Sequence, residues 1–281
     1  RRLDPSLPGK ALTEDQATAA AVLREGIKAE AYGTTLLRGV TGSGKTEVYL
    51  EAVAAAVQSG RQALVLLPEI ALTEQFLDRV EERFGAKPAE WHSGVTMTER
   101  RRIWRMVGEG NAQLVIGARS ALFLPFQNLG LIVVDEEHDT SYKQEDGGLY
   151  NARDMAVLRA SICGAQVVLA SATPSLETWA NAEAGKYRRL ELTSRFGPAV
   201  MPQMGAIDMR QAGLPGDKWI SAEMKREVDA RLERGEQAML FINRRGYAPI
   251  TLCRACGEQI GCDQCDARMV EHRFLKRLVC H

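Results

Sequence analysis

Short runs of apolar residues punctuate the first two thirds of the chain. They fall at Thr34–Leu37, Ala63–Leu67, Leu114–Ile116, Leu131–Val134, Val167–Ala170 and Arg189–Leu192. Between several of them lie stretches with apolar residues at helical spacing: Glu47–Val57, Thr73–Phe84, Thr98–Val107, Ala152–Ile162 and Leu176–Ala184. A strand that is apolar throughout must be covered on both faces. Strands alternating with helices therefore predict an α/β fold with a parallel sheet between two helical layers. A further helix opens at Leu12-Thr13-Glu14-Asp15-Gln16, with Thr13 as its expected N-cap.

After Ser194 the texture changes. Residues 195–220 are rich in proline and glycine and show little periodicity, which suggests a linker or surface excursion. Ser221–Arg234 reads as a helix and Gln237–Ile242 as a buried strand. The expected organisation is a polar linker over 1–11, one large lobe over 12–194, a linker and the start of a second lobe over 195–252, and a cysteine-bearing segment over 253–281. No internal repeat or low-complexity segment is present.

The loops between these elements carry the chemistry. Gly39-Val40-Thr41-Gly42-Ser43-Gly44-Lys45-Thr46 fits G-x-x-x-x-G-K-[ST], the phosphate-binding P-loop. Strand before and helix after are the context that this motif needs. Its glycines let backbone N–H groups point at phosphate oxygens, Lys45 reaches the β- and γ-phosphates, and Thr46 offers a hydroxyl to Mg²⁺. ATP and Mg²⁺ are the expected ligands. Asp135-Glu136-Glu137-His138 follows the run Leu131–Val134, at the strand end where open α/β sheets bind ligands. Asp135 is placed to hold Mg²⁺ and Glu136 to orient or deprotonate the attacking water. Ser171-Ala172-Thr173 ends another strand and can bond to that acidic loop. The Gln16 carboxamide suits one edge of adenine, although an ordinary exposed helix glutamine is an equal reading. Pro68–Thr73, Trp91–Gly94 and Gly117–Phe123 are strand-end loops with the N–H groups, hydroxyls and one arginine, Arg119, that a nucleic-acid backbone requires.

Charge and composition change the picture little. Formal net charge is 0, from 36 basic and 36 acidic side chains, so any nucleic-acid contact must come from local clusters. Hydrophobic content of 45% and charged content of 26% suit a soluble globular protein. No apolar run approaches a membrane span, and no signal-peptide core follows Arg1. The expectation is a cytoplasmic chain that begins partway along a longer protein. Cys163 sits alone in an apolar stretch and is expected as a buried small hydrophobe. The other cysteines, Cys253, Cys256, Cys262, Cys265 and Cys280, are spaced C-x₂-C-x₅-C-x₂-C and then one more, which reads as zinc.

Seven motifs occur in one order: the P-loop, P-E-I-x-L-T, H-S-G, G-x-R-S-A-x-F, D-E-E-H, S-A-T-P and F-x-N-R-R-G-Y. In this the chain resembles the superfamily-two DNA helicases, and within them the replication-restart helicases, over essentially its whole length. The resemblance implies a RecA-like motor lobe, a partial second lobe and a truncated zinc module. It implies ATP-driven unwinding at forked DNA, contact with single-stranded DNA through Arg119, and primosome proteins as partners. It implies that Tyr142 to Tyr150 couple DNA contact to hydrolysis; the tryptophan expected there is absent, which leaves Tyr142 and Tyr150 as aromatic candidates. The family's two interleaved zinc ions would divide Cys253 and Cys256 from Cys262, Cys265 and Cys280, leaving both sites incomplete, with His281 a possible stand-in ligand. A further arginine would have to come from another lobe for turnover. Three rivals remain: an ATP-responsive scaffold that recruits replication proteins with little unwinding, a different DNA translocase, and a small-molecule kinase.

Overall fold

Among the described residues, chain order gives nine strands in the first part of the molecule: β1 (Gly33–Gly39), β2 (Gln62–Leu66), β3 (Ala89–Trp91), β4 (Leu114–Gly117), β5 (Leu129–Asp135), β6 (Lys143–Gln144), β7 (Tyr150–Asn151), β8 (Gln166–Ser171) and β9 (Arg188–Leu192). Seven of them form one sheet in the order β3-β4-β2-β5-β8-β1-β9, with every neighbouring pair parallel. The remaining two, β6 and β7, form a small antiparallel ribbon. This computed structural model describes residues 2–144, 147–193, 202–211, 220–241, 256, 258–262, 264–272 and 277–279. The chain divides into two compact units, Arg1–Val200 and Met201–His281.

The apolar runs are explained by the two faces of this sheet. Leu131 and Val133 of β5 enter one core, together with Val65 of β2. Ile132 and Val134 enter the other, together with Leu64 and Leu66. The first core is closed by α1 (Glu14–Lys28), α2 (Lys45–Gln58) and α3 (Glu74–Phe84). The second is closed by α4 (Met97–Gly108) and α5 (Ala152–Cys163). Each fully buried Leu, Ile or Val contributes about 1.5–3 kcal/mol relative to exposure, so alternate residues of one strand stabilise both layers. A short α6 (Leu176–Glu183) follows β8. At the sheet's far edge β9 is mostly exposed.

Helix starts follow the sequence signals. Thr13 accepts from the Gln16 N–H and the Gln16 side chain answers the Thr13 N–H, a reciprocal capping box. Thr73, Thr96 and Ser175 cap α3, α4 and α6, each side chain accepting one N–H from the first turn. Residues 2–11 carry no helix or strand, yet they lie along the lobe. Leu3 is buried, its N–H donates to Gln113 Oε1 (2.8 Å), and Arg83 Nη1 donates to the Leu7 carbonyl (2.6 Å).

Two expectations fail. Cys163 is exposed, not buried, because it is the last residue of α5 before the left-handed Gly164, where Ile162 is exposed as well. Gln237–Phe241 is not a strand: it is irregular, and Met239, Leu240 and Phe241 are exposed. Apolar letters alone do not make a strand, which exists only through pairing, and among the described residues nothing pairs with this segment. Ile242 lies outside the described residues. The helix expected over Ser221–Arg234 is present as α7 (Ala222–Glu233). Beyond it β10 (Gly261–Cys262) pairs antiparallel with β11 (Cys265–Arg268), and β12 (Val270–His272) with β13 (Arg277–Val279).

Candidate active site

All seven parallel strands point their C-terminal ends the same way, so the loops that follow them gather at one edge of the sheet. The P-loop joins β1 to α2. Gly42 and Gly44 adopt left-handed φ values of 80° and 81°, which side chains disfavour. A Cβ on Gly44 would also collide with the Gln16 carboxamide. Gly44 is the N-cap of α2 and no side chain caps the helix, so its first N–H groups and positive dipole end are left for a ligand. Buried Ser43 Oγ has no partner among the described residues. Lys45 Nζ donates to the Gly39 carbonyl at 2.9 Å, which holds the ammonium over the loop. This cradle fits a phosphate chain.

Gln16 is buried, which removes the exposed-helix reading. Its Oε1 accepts from the Thr13 N–H (3.0 Å) and its Nε2 donates to the Ser43 carbonyl (2.8 Å), so α1 is fastened to the loop. Gln16, Thr41, Gly42, Gly44, Lys45, Thr46, Asp135 and Glu136 line one cleft of about 480 Å³. Lys10 and Arg79 border it. Arg79 pairs with Glu47 of α2.

The acidic loop ends β5. Asp135 Oδ2 accepts from the Tyr49 hydroxyl at 2.8 Å and Oδ1 from the Glu136 N–H at 3.0 Å. Burial pushes the Asp135 carboxyl above its ordinary range, opposed by the Tyr49 hydrogen bond. Glu136 has φ 47°, rare for a residue with a side chain. That reversal sends Glu136 outward, its carboxylate 41% exposed at the cleft. It turns Glu137 inward, where the carboxylate is fully buried. Glu137 accepts from the Ser175 N–H (2.7 Å), the Ser175 hydroxyl (2.9 Å) and the Thr178 hydroxyl (2.9 Å), and Arg153 Nη1 stands 3.5 Å away. His138 Nδ1 meets Ser171 Oγ at 2.7 Å and Glu136 Oε2 at 3.6 Å. The S-A-T strand end is thus bonded directly to the acidic loop, as its hydroxyls suggest.

The aromatic segment differs from expectation. Tyr142 is fully buried and its hydroxyl meets the carbonyls of Leu66 (3.0 Å) and Asp135 (2.6 Å), so it offers no face to a base. Tyr150 packs edge-on against Phe123, with ring centroids 5.2 Å apart, and Phe123 is exposed. Arg119 Nη1 donates to the carbonyls of Ser141 (3.0 Å) and Lys143 (2.8 Å), tying the G-x-R-S-A loop to this segment. Sequence reasoning missed Tyr49, Glu137 and Arg153. The one available signal was a tyrosine in the apolar face of α2, since a buried phenol demands a partner.

Of the cysteines, Cys262 and Cys265 face each other across the β10–β11 hairpin, and the Gln264 N–H approaches Cys262 Sγ at 3.5 Å. Cys256 is exposed. Cys253, Cys280, His281 and Asn243–Tyr247 lie outside the described residues. Among the described residues no three His, Cys, Asp or Glu are grouped to hold a metal ion.

A P-loop, an acidic strand end and a hydroxyl-bearing strand end on one parallel sheet define a P-loop nucleotide-binding motor lobe. The chain belongs to the DEAD/DEAH box helicase family, whose model matches residues 13–182. It is 47% identical over 270 residues to the replication restart protein PriA of Rickettsia felis, covering 96% of this chain and 41% of that protein. With PriA of Bacillus subtilis it shares 43% over 271 residues, covering 96% and 34%. The chain therefore spans about two fifths or less of these relatives' length. In fold it is similar to RecG bound to a three-way DNA junction, with a TM-score of 0.53 and 24% identity over 82% of this chain and 29% of that one. No described helix is long and apolar enough to cross a membrane.

Proposed function

We propose that this chain carries the ATP-binding lobe of a DNA helicase that acts at forked DNA in replication restart and primosome assembly. The supporting observation is the convergence of Gln16, Lys45, Thr46, Asp135 and Glu136 on one cleft. In this reading Lys45 and the N–H groups of Gly42, Ser43 and Gly44 hold the phosphates of ATP. Thr46 and Asp135 would hold Mg²⁺, which would neutralise phosphate charge there. Glu136, half exposed at the left-handed turn, positions the attacking water. Gln16, already fixed by Thr13 and Ser43, presents the spare capacity of its carboxamide to adenine. Single-stranded DNA crosses the strand-end loops 68–73, 91–94 and 117–123, with Phe123 and Tyr150 as its aromatic contacts.

The lobe extends over 12–194, a second lobe begins within 195–252, and 253–281 binds zinc. The Cys262–Cys265 hairpin supports the last point, because it sets the two thiols of one C-x₂-C pair opposite each other. Cys253, Cys256 and Cys280 would supply further ligands toward the four that close a structural site. The protein works in the cytoplasm with DNA and replication proteins. Calorimetry with ATP·Mg²⁺ tests the assignment: binding should be lost in Lys45→Ala, and unchanged binding in that variant overturns it.

A further inference from the structure

Tyr49 lies one helical turn beyond Thr46 in α2, and its side chain is completely buried. Its hydroxyl donates to Asp135 Oδ2 at 2.8 Å. One hydroxyl thus joins the P-loop helix, which opens with Lys45 and Thr46, to the carboxylate at the end of β5. The second Asp135 oxygen is oriented separately by the Glu136 N–H at 3.0 Å.

We infer that Tyr49 is a positioning residue for the divalent cation: it fixes the Asp135 carboxylate in one preset orientation, tied to the helix that carries Lys45 and Thr46. This rests on the ATP·Mg²⁺ reading of the cleft. The argument is geometric. A carboxylate with two free torsions must be ordered before it can take a cation, and a buried donor does that ordering in advance. A phenol suits the task because its ring is locked by the core while its hydroxyl reaches the strand end. The Tyr49 ring belongs to the hydrophobic core on that face of the sheet, so the hydroxyl can be removed with little change of packing. Partners of this kind typically account for about 10–100-fold in metal affinity.

The test compares the wild-type chain with Tyr49→Phe and Asp135→Asn, using a fluorescent ATP analogue titrated with Mg²⁺ and, separately, in EDTA. Thermal unfolding is recorded alongside. In Tyr49→Phe the nucleotide affinity in EDTA should match wild type, while the Mg²⁺ concentration for half-maximal effect rises about tenfold or more. Asp135→Asn should abolish the Mg²⁺ effect. Equal Mg²⁺ dependence in Tyr49→Phe and wild type overturns the inference. So does an equal loss of affinity with and without Mg²⁺, which would make Tyr49 merely structural. A wild-type chain that binds nucleotide in neither condition overturns the ATP reading itself, and this inference with it.

Discussion

Replacing Glu137 by alanine should destabilise the lobe more than any other change at the acidic loop. The carboxylate has no exposed surface and answers three donors from Ser175 and Thr178, with the guanidinium of Arg153 close by and itself 8% exposed. Alanine leaves those donors without their acceptor and a nearly buried cation with less compensation. Breaking a buried ion pair in this way costs about 3–5 kcal/mol. For a unit of this size each kcal/mol lowers Tm by roughly 2–4 °C. Taking about 4 kcal/mol, the expected fall is roughly 8–16 °C. Glu137→Gln keeps one acceptor but turns an amide donor toward donors, and should cost about 2 kcal/mol. Arg153→Ala combined with Glu137→Ala should cost less than the sum of the single changes, because the partners share one network. Urea and thermal unfolding of the wild-type chain and the four variants supply the numbers. A loss below about 1 kcal/mol in Glu137→Ala, the scale of a surface substitution, would refute the view that this carboxylate holds the acidic loop to the S-A-T segment.

Other outcomes follow from the same geometry. Burial raises the folded-state pKa of Asp135 above its unfolded value, so the ionised group costs stability at neutral pH, and that cost fades as pH falls through the raised pKa. Asp135→Asn should therefore raise Tm at pH 7 in EDTA, with the gain shrinking as pH drops toward about 4; a lowered Tm at pH 7 contradicts this. Gly44→Ala meets both a left-handed backbone and the Gln16 carboxamide, so it should destabilise the lobe by more than about 1 kcal/mol and remove nucleotide binding. A wild-type Tm and nucleotide affinity would contradict it. Cys163→Ser should change stability by less than about 0.5 kcal/mol and remove a thiol that reacts without unfolding; protection of Cys163 in the native chain would contradict its exposure. Zinc should be present in the purified chain and should fall when Cys262 and Cys265 are both replaced by serine; unchanged zinc in that variant contradicts their role as ligands.

Much of the lobe is written in local pattern. Runs such as Leu131–Val134 are apolar at every position because both faces of β5 are covered, and that alone yields a parallel sheet between helical layers. Thr13 and Gln16 announce the start of α1 through their reciprocal caps. The P-loop is legible because its glycines answer to backbone geometry. What escaped was set by chain reversal and by long-range pairing. Glu136 and Glu137 are the same letter, yet a single left-handed turn sends one to the cleft and the other into a buried network. Gln237–Phe241 has the letters of a strand, but pairing is decided elsewhere in the chain. Tyr142 carries the letter of a base-stacking residue, and only the fold reveals that its ring is core.

The hydroxyl of Tyr142 has a mechanical consequence. It ties the segment after the acidic loop to the ends of two adjacent strands, at Leu66 of β2 and Asp135 of β5, while Arg119 clamps the carbonyls on either side of it. The β6–β7 ribbon that follows is thus mounted on an anchored base that extends to its first residue, Lys143. A pull on that base reaches Asp135 through its peptide carbonyl, whereas its carboxylate is moored to a different helix by Tyr49. Backbone and carboxylate of Asp135 are thus held by different elements, so a shift of the one can be taken up without re-aiming the other.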